Sequence, residues 1–186
     1  MKLISDNIKK KFKEAEIFFS NKDYERTISV YNDILKENPN FVPALNNIAQ
    51  AYEYLKNLKE AENNYKKCVL LKPNEIIFMN NLSNVYMKQN DYNQALPLLE
   101  KSFEKNQNQI KIIHLTIMCL ISLGMKKKVE QFSIKVLEIY PNDRLINKLC
   151  GKNLINLNKH REGLEFLKKG TGFIEFNNKK INLISH

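Results

Sequence analysis

The side chains that could do chemistry in this chain are few and scattered. Cys68, Cys119 and Cys150 stand far apart with no CxxC pairing, and neither His114 nor His160 has a second histidine at metal-ligand spacing. No Gly-rich phosphate loop is present, and no Asp, Cys or Ser constellation accompanies either histidine in sequence. The cysteines fall on or beside apolar columns, where a thiol acts as a small core residue. We therefore expect no catalytic residue, no bound metal and no cofactor. The polar residue that recurs where it could act is asparagine. Its carboxamide carries donor and acceptor together, which suits the alternating N–H and C=O groups of an extended peptide.

Such residues act only if something holds them in register, and the sequence contains that register. Asparagine returns at Asn40, Asn74, Asn108 and Asn142, 34 residues apart each time, and Pro39, Pro73 and Pro141 precede three of them. A period of 34 is the length of one helix–turn–helix unit of a solenoid. Setting the proline at position 32 gives units 8–41, 42–75, 76–109, 110–143 and 144–177. Position 8 then holds Ala15, Ala49, Ser83, Ile117 and Gly151, and position 20 holds Thr27, Ala61, Ala95, Val129 and Gly163. Apart from the fourth unit, where the bulky Ile117 is a departure, residues this small let two helices approach closely. Position 11 holds Phe18, Tyr52, Tyr86, Leu120 and Leu154, and position 24 holds Tyr31, Tyr65, Leu99, Ser133 and Leu167. Mostly large and apolar, these form the stripe that each helix buries. The periodic asparagines are expected to cap each first helix. Short turns at Asn21-Lys22, Lys56-Asn57, Asn90-Asp91, Gly124-Met125 and Asn158-Lys159 join the helices within units.

Composition agrees. The 186 residues are 43% hydrophobic with five glycines and no tryptophan, enough for a continuous core and poorly suited to an all-β design. An odd cysteine count without a secretory signal reads as reduced thiols in a soluble, cytoplasmic protein. The most apolar segment, 110–123, is too short and too interrupted to span a bilayer. Net charge is +10 and uneven: residues 1–93 carry 14 Lys/Arg against 12 Asp/Glu, and residues 94–186 carry 16 against 8.

These columns resemble the tetratricopeptide (TPR) repeat, with Ala49, Tyr52, Ala61, Tyr65 and Pro73 as the closest match. The resemblance implies an all-α, right-handed α-solenoid of about five units over residues 1–172, the last two degenerate. It also implies a concave groove lined by positions 2, 5, 6, 9, 12 and 13 of the first helices. Groove candidates are Asn46, Asn47, Gln50 and Tyr54, then Asn80, Asn81, Asn84 and Lys88. Asn47 and Asn81 match an asparagine ladder that grips a peptide backbone in some TPR proteins, two rungs long here. A carboxylate clamp for a chaperone tail is not matched, because Phe12, Glu16 and Leu115 stand where it needs other residues.

Farther along, Lys111, His114, Leu115, Met118, Lys148 and Lys152 complete the candidate set. The first helix of the fourth unit, with Leu115, Met118 and Ile121, is apolar nearly all round and calls for cover by a partner, a second copy in a homodimer, or the chain's own tail. That tail, 173–186, reads as two short strands about an Asn-Asn turn. The function expected is a non-enzymatic scaffold for a partner protein or peptide. The alternatives are an anionic partner such as RNA on the lysine-rich C-terminal half, or an accessory module for a separate enzyme. RNA fits poorly, since only Arg26, Arg144 and Arg161 supply arginine and the aromatics sit in packing columns.

Overall fold

The computed structural model describes residues 5–177 and 180–184. Among these residues ten helices follow one another in helix–turn–helix pairs, and a two-stranded hairpin ends the described chain. The chain divides into two compact units, 1–98 and 99–186. The first holds α1 (Asp6–Ser20), α2 (Tyr24–Glu37), α3 (Val42–Tyr54), α4 (Leu58–Leu71) and α5 (Ile76–Lys88). Next comes α6 (Tyr92–Lys105), which continues as helix through the exposed Pro97. The second unit holds α7 (Ile110–Ser122), α8 (Lys126–Leu137), α9 (Arg144–Asn156) and α10 (His160–Thr171). Its hairpin pairs β1 (Phe173–Asn177) antiparallel with β2 (Lys180–Ile184), from Phe173↔Ile184 to Asn177↔Lys180. Residues 178–179, where the turn expected from the sequence is completed, lie outside the described residues.

Within each pair the residues at positions 8 and 20 are buried, small ones in the first two pairs and Ile117 with Val129 in the fourth. Ala15 and Thr27, Ala49 and Ala61, and Ile117 and Val129 are all fully buried. The closest approach belongs to α9 and α10. A Cβ on Gly151 would stand 2.7 Å from the Gly163 carbonyl oxygen, and one on Gly170 would stand 2.5 Å from the Lys148 nitrogen. Only glycine permits that separation. The position-24 column closes each core, with Tyr31, Leu99 and Ser133 wholly buried and Tyr65 and Leu167 nearly so.

The turns within pairs repeat in full backbone detail. Lys22, Lys56, Asn90, Gly124 and Asn158, again 34 residues apart, all adopt positive φ between 60° and 68°. The following N–H bonds back to the position-11 carbonyl each time: Asp23 to Phe18, Asn57 to Tyr52, Asp91 to Tyr86, Met125 to Leu120 and Lys159 to Leu154. This is the Schellman closure of a helix C-terminus, satisfying carbonyls that would otherwise be orphaned.

The capping role expected for the periodic asparagines is not what the structure shows. The first helices α3, α5 and α7 have Phe41, Glu75 and Gln109 at N-cap, with no side-chain cap bond. Asn40 and its equivalents lie one residue too early. Asn40, Asn74 and Asn142 occupy the second central position of a β-turn after proline, closed by Phe41 N–H to Asn38, Glu75 to Lys72 and Asp143 to Tyr140. Proline presets the first central residue and asparagine tolerates the next, so the period reports turn chemistry. Side-chain caps instead open three of the second helices, α2, α4 and α6: Asp23 accepts from the Arg26 N–H, Asn57 from Glu60 and Asp91 from Gln94. Among first helices after α1, α9 is the one capped by a side chain, through Asp143 to Ile146.

Candidate functional site

In the first unit, α1, α3 and α5 present their exposed faces beside two open clefts that share Gln50. One, about 340 Å³, is lined by Glu16, Phe19, Ser20, Tyr31 and Asn47 as well. The other, about 350 Å³, adds Glu53, Tyr54, Lys56, Tyr65, Asn81 and Lys88. The carboxamides between them are already ordered. The Asn47 amide donates to the Tyr31 hydroxyl at 2.8 Å, the Asn46 amide donates to the Asn47 oxygen at 3.1 Å, and the Asn81 amide donates to the Asn46 oxygen at 3.1 Å. One hydrogen-bonded line thus runs from α2 through α3 to α5. The Asn81 oxygen stays open among the described residues, so the line ends on an unused acceptor.

Glu53 organises the larger cleft. Its carboxylate accepts from the Tyr65 hydroxyl at 2.9 Å, lies 3.5 Å from the Asn84 amide and forms an ion pair with Lys88. Burial, together with the adjoining Glu53 charge, pushes the Tyr65 phenol far above its ordinary pKa. It therefore remains a donor at any physiological pH. Burial likewise raises Tyr31, against the opposing pull of its bond from Asn47.

The structure brings together Asn46, Asn47, Gln50, Tyr54, Asn81, Asn84 and Lys88 in this region, and Asn80 is half-buried on the same helix as Asn81. Glu53 and the two tyrosine hydroxyls are not among the groove groups expected from the sequence. Glu53 stands at position 12, a groove position, so the register held the signal. Tyr31 and Tyr65 were absorbed into the packing column, which accounts for their rings and not for their hydroxyls.

The second unit gathers its candidates differently. His114 Nε2 lies 3.1 Å from the Asp143 carboxylate, which also caps α9, so this imidazole is tied to the helix start. Leu115 is half-buried, while Lys111, Met118, Lys148 and Lys152 are exposed. Of these only Lys152 lines the cleft of about 250 Å³ between α7, α8 and α9, with Ile121, Gly124, Lys126, Val129, Leu149, Asn153 and Asn156. Leu149 is not among the residues expected from the sequence, which places its neighbour Lys148 in the groove instead. The 34-residue register puts Leu149 in the column of Asn47 and Asn81.

The cysteines are buried, free thiols. Burial pushes Cys68 up to about 12 and Cys119 and Cys150 up to about 11, so none is a thiolate near neutrality. Among the described residues no group of His, Cys, Asp and Glu could hold a metal ion, and no helix is long and apolar enough to cross a membrane.

Comparison with known proteins agrees with this geometry. Residues 42–75 and 78–108 each match a model of the tetratricopeptide repeat. A stretch of 44 residues, 24% of this chain, is 50% identical to the ycf37 protein of Pyropia yezoensis, and it spans a quarter of that relative's length. Among solved structures, MamA superimposes with a TM-score of 0.81 at 17% identity, over 90% of this chain and 91% of its own. YrrB, described as a TPR protein with an unusual peptide-binding site, gives 0.76 at 22% identity, over 86% and 82%. Residues 42–75 and 78–108 are thus tetratricopeptide repeats, and the chain shares the MamA fold along nine-tenths of its length.

Proposed function

We propose that this protein is a non-enzymatic scaffold that binds an extended segment of a partner protein along α1, α3 and α5. The observation that carries this reading is the line from Tyr31 through Asn47 and Asn46 to Asn81, which ends on an open acceptor beside a cleft. Carboxamides fixed in this way need little reordering to meet a peptide backbone, so less binding free energy is lost to immobilisation. The likeness to YrrB supports the reading only through the shared fold.

The test uses a displayed library of random peptides. Binders are selected on the wild-type protein, and the strongest is titrated by fluorescence anisotropy against Asn47→Ala/Asn81→Ala. Losing two or three backbone hydrogen bonds at about 1 kcal/mol each should weaken binding at least about tenfold. Circular dichroism should show the variant still folded at the titration temperature, with a melting point lowered by the lost Asn47–Tyr31 and Asn81–Asn46 bonds. Equal affinity in the double variant would retire the carboxamide line as a peptide grip.

A further inference from the structure

The cleft between α7, α8 and α9 occupies the same register as the Gln50–Asn47 cleft of the first unit, three periods of 34 residues later. Phe19 corresponds to Ile121, Asn47 to Leu149, Gln50 to Lys152, Tyr24 to Lys126, Tyr31 to Ser133 and Tyr54 to Asn156. The exchanges make the floor more apolar and the rim more cationic. In the first unit Tyr24 and Tyr54 stack at 4.9 Å, both edge-on to Phe19, and so cover that apolar surface. In the second unit Lys126 and Asn156 stand where the stacked rings were, and Ile121, Val129 and Leu149 line an open cleft. The polar groups of the first floor, Asn47 and the Tyr31 hydroxyl, are replaced by Leu149 and the much smaller Ser133.

The rim is cationic. Lys126 and Lys152 are exposed and form no ion pair among the described residues. Lys126, Lys127 and Lys128 fill the first turn of α8, which has no side-chain cap and no acidic residue there. Positive charge at a helix N-terminus opposes the helix dipole, so an incoming carboxylate relieves repulsion as well as pairing with lysine. At about 250 Å³ the cleft falls below the usual small-molecule range of roughly 300–1,000 Å³ and suits one apolar side chain.

We propose that this cleft is a second binding site, which takes a leucine-sized side chain from an acidic peptide segment, with Lys126 and Lys152 pairing the flanking carboxylates. The proposal rests on reading the protein as a peptide-binding array, but it does not use the carboxamide line of the first unit.

The probe is a fluorescein-labelled peptide with one leucine between two pairs of glutamates, titrated into the full chain by anisotropy at low and physiological salt. Changing its leucine to alanine should weaken binding at least about tenfold. Lys126→Glu/Lys152→Glu, both surface changes, should do the same and flatten the salt dependence. Asn47→Ala/Asn81→Ala should bind the probe as wild type does, which separates this site from the grip proposed above. Equal affinity for the leucine and alanine peptides would overturn the proposal without any protein variant being involved. So would displacement of the probe by oligouridylate together with indifference to leucine, which would mark the lysines as a nucleic-acid contact. A wild-type dimer in light scattering that Ile121→Glu converts to monomer would assign the cleft to a second copy.

Discussion

Two clefts in one register, one floored by Asn47 and the Tyr31 hydroxyl and the other by Leu149 and Val129, show how a repeat separates scaffold from chemistry. The backbone devices are common to both units: the β-turn after proline, the Schellman closure and the positive φ at position 15 of each repeat. The side chains facing the cleft are free to differ because none of those devices uses them. The pair contacts differ as well. Alanine and threonine separate α1 from α2 and α3 from α4, whereas glycines bring α9 against α10.

That contrast gives the largest expected effect. Gly170→Ala drives a Cβ into the Lys148 backbone at 2.5 Å, and helix backbone cannot yield as a flexible side chain can. A loss of about 3 kcal/mol is expected, read as a lower urea midpoint. Ala61→Gly, in the first unit, should cost only about 1 kcal/mol from helix propensity and a small void. Similar losses from both changes would break the distinction between the pairs.

Next in size come the helix starts. Asn57→Ala removes the acceptor for the Glu60 N–H and should cost about 1 kcal/mol. Asn40→Ala and Asn74→Ala, at the periodic turn positions, should cost a few tenths at most, since neither caps a helix. A larger loss at Asn40 than at Asn57 would restore the capping role that the structure denies it.

How far the chain can be read without coordinates follows from these same residues. The helices, their pairing and the small contact positions were legible because they repeat, and one period aligns five examples of each. Asn40 was misread because N-cap and N′ are adjacent, and both favour asparagine for different physical reasons. Glu53 was legible in principle, from its position alone. The Glu53–Tyr65 bond was not, nor the pairing of His114 with Asp143, 29 residues away. Contacts between successive helices depend on how side chains reach across, and no period encodes that.

Two smaller effects sharpen the comparison. Lys22 and Lys56 hold positive φ where the second unit has Gly124. Lys56→Gly should therefore stabilise the fold by up to about 1 kcal/mol, and Gly124→Ala should destabilise it by a similar amount. Either change with the opposite sign would contradict the shared turn geometry. The buried thiols give a pH effect. Each has a folded-state pKa raised above the ordinary value of 9, so protonated thiol favours the fold and the unfolded chain releases its proton first. Stability should hold below pH 9 and decline as pH rises from there toward 12. A urea midpoint unchanged between pH 8 and pH 10.5 would argue against burial of the cysteines.

The difference between the two clefts is tested most directly by amide chemical shifts in two-dimensional NMR, as the leucine-bearing acidic peptide is added to the full chain. Shifts concentrated at Ile121, Val129, Leu149 and Lys152, with Asn47, Gln50 and Asn81 unmoved, are the predicted result. Shifts centred on Asn47 and Asn81 instead would contradict the account.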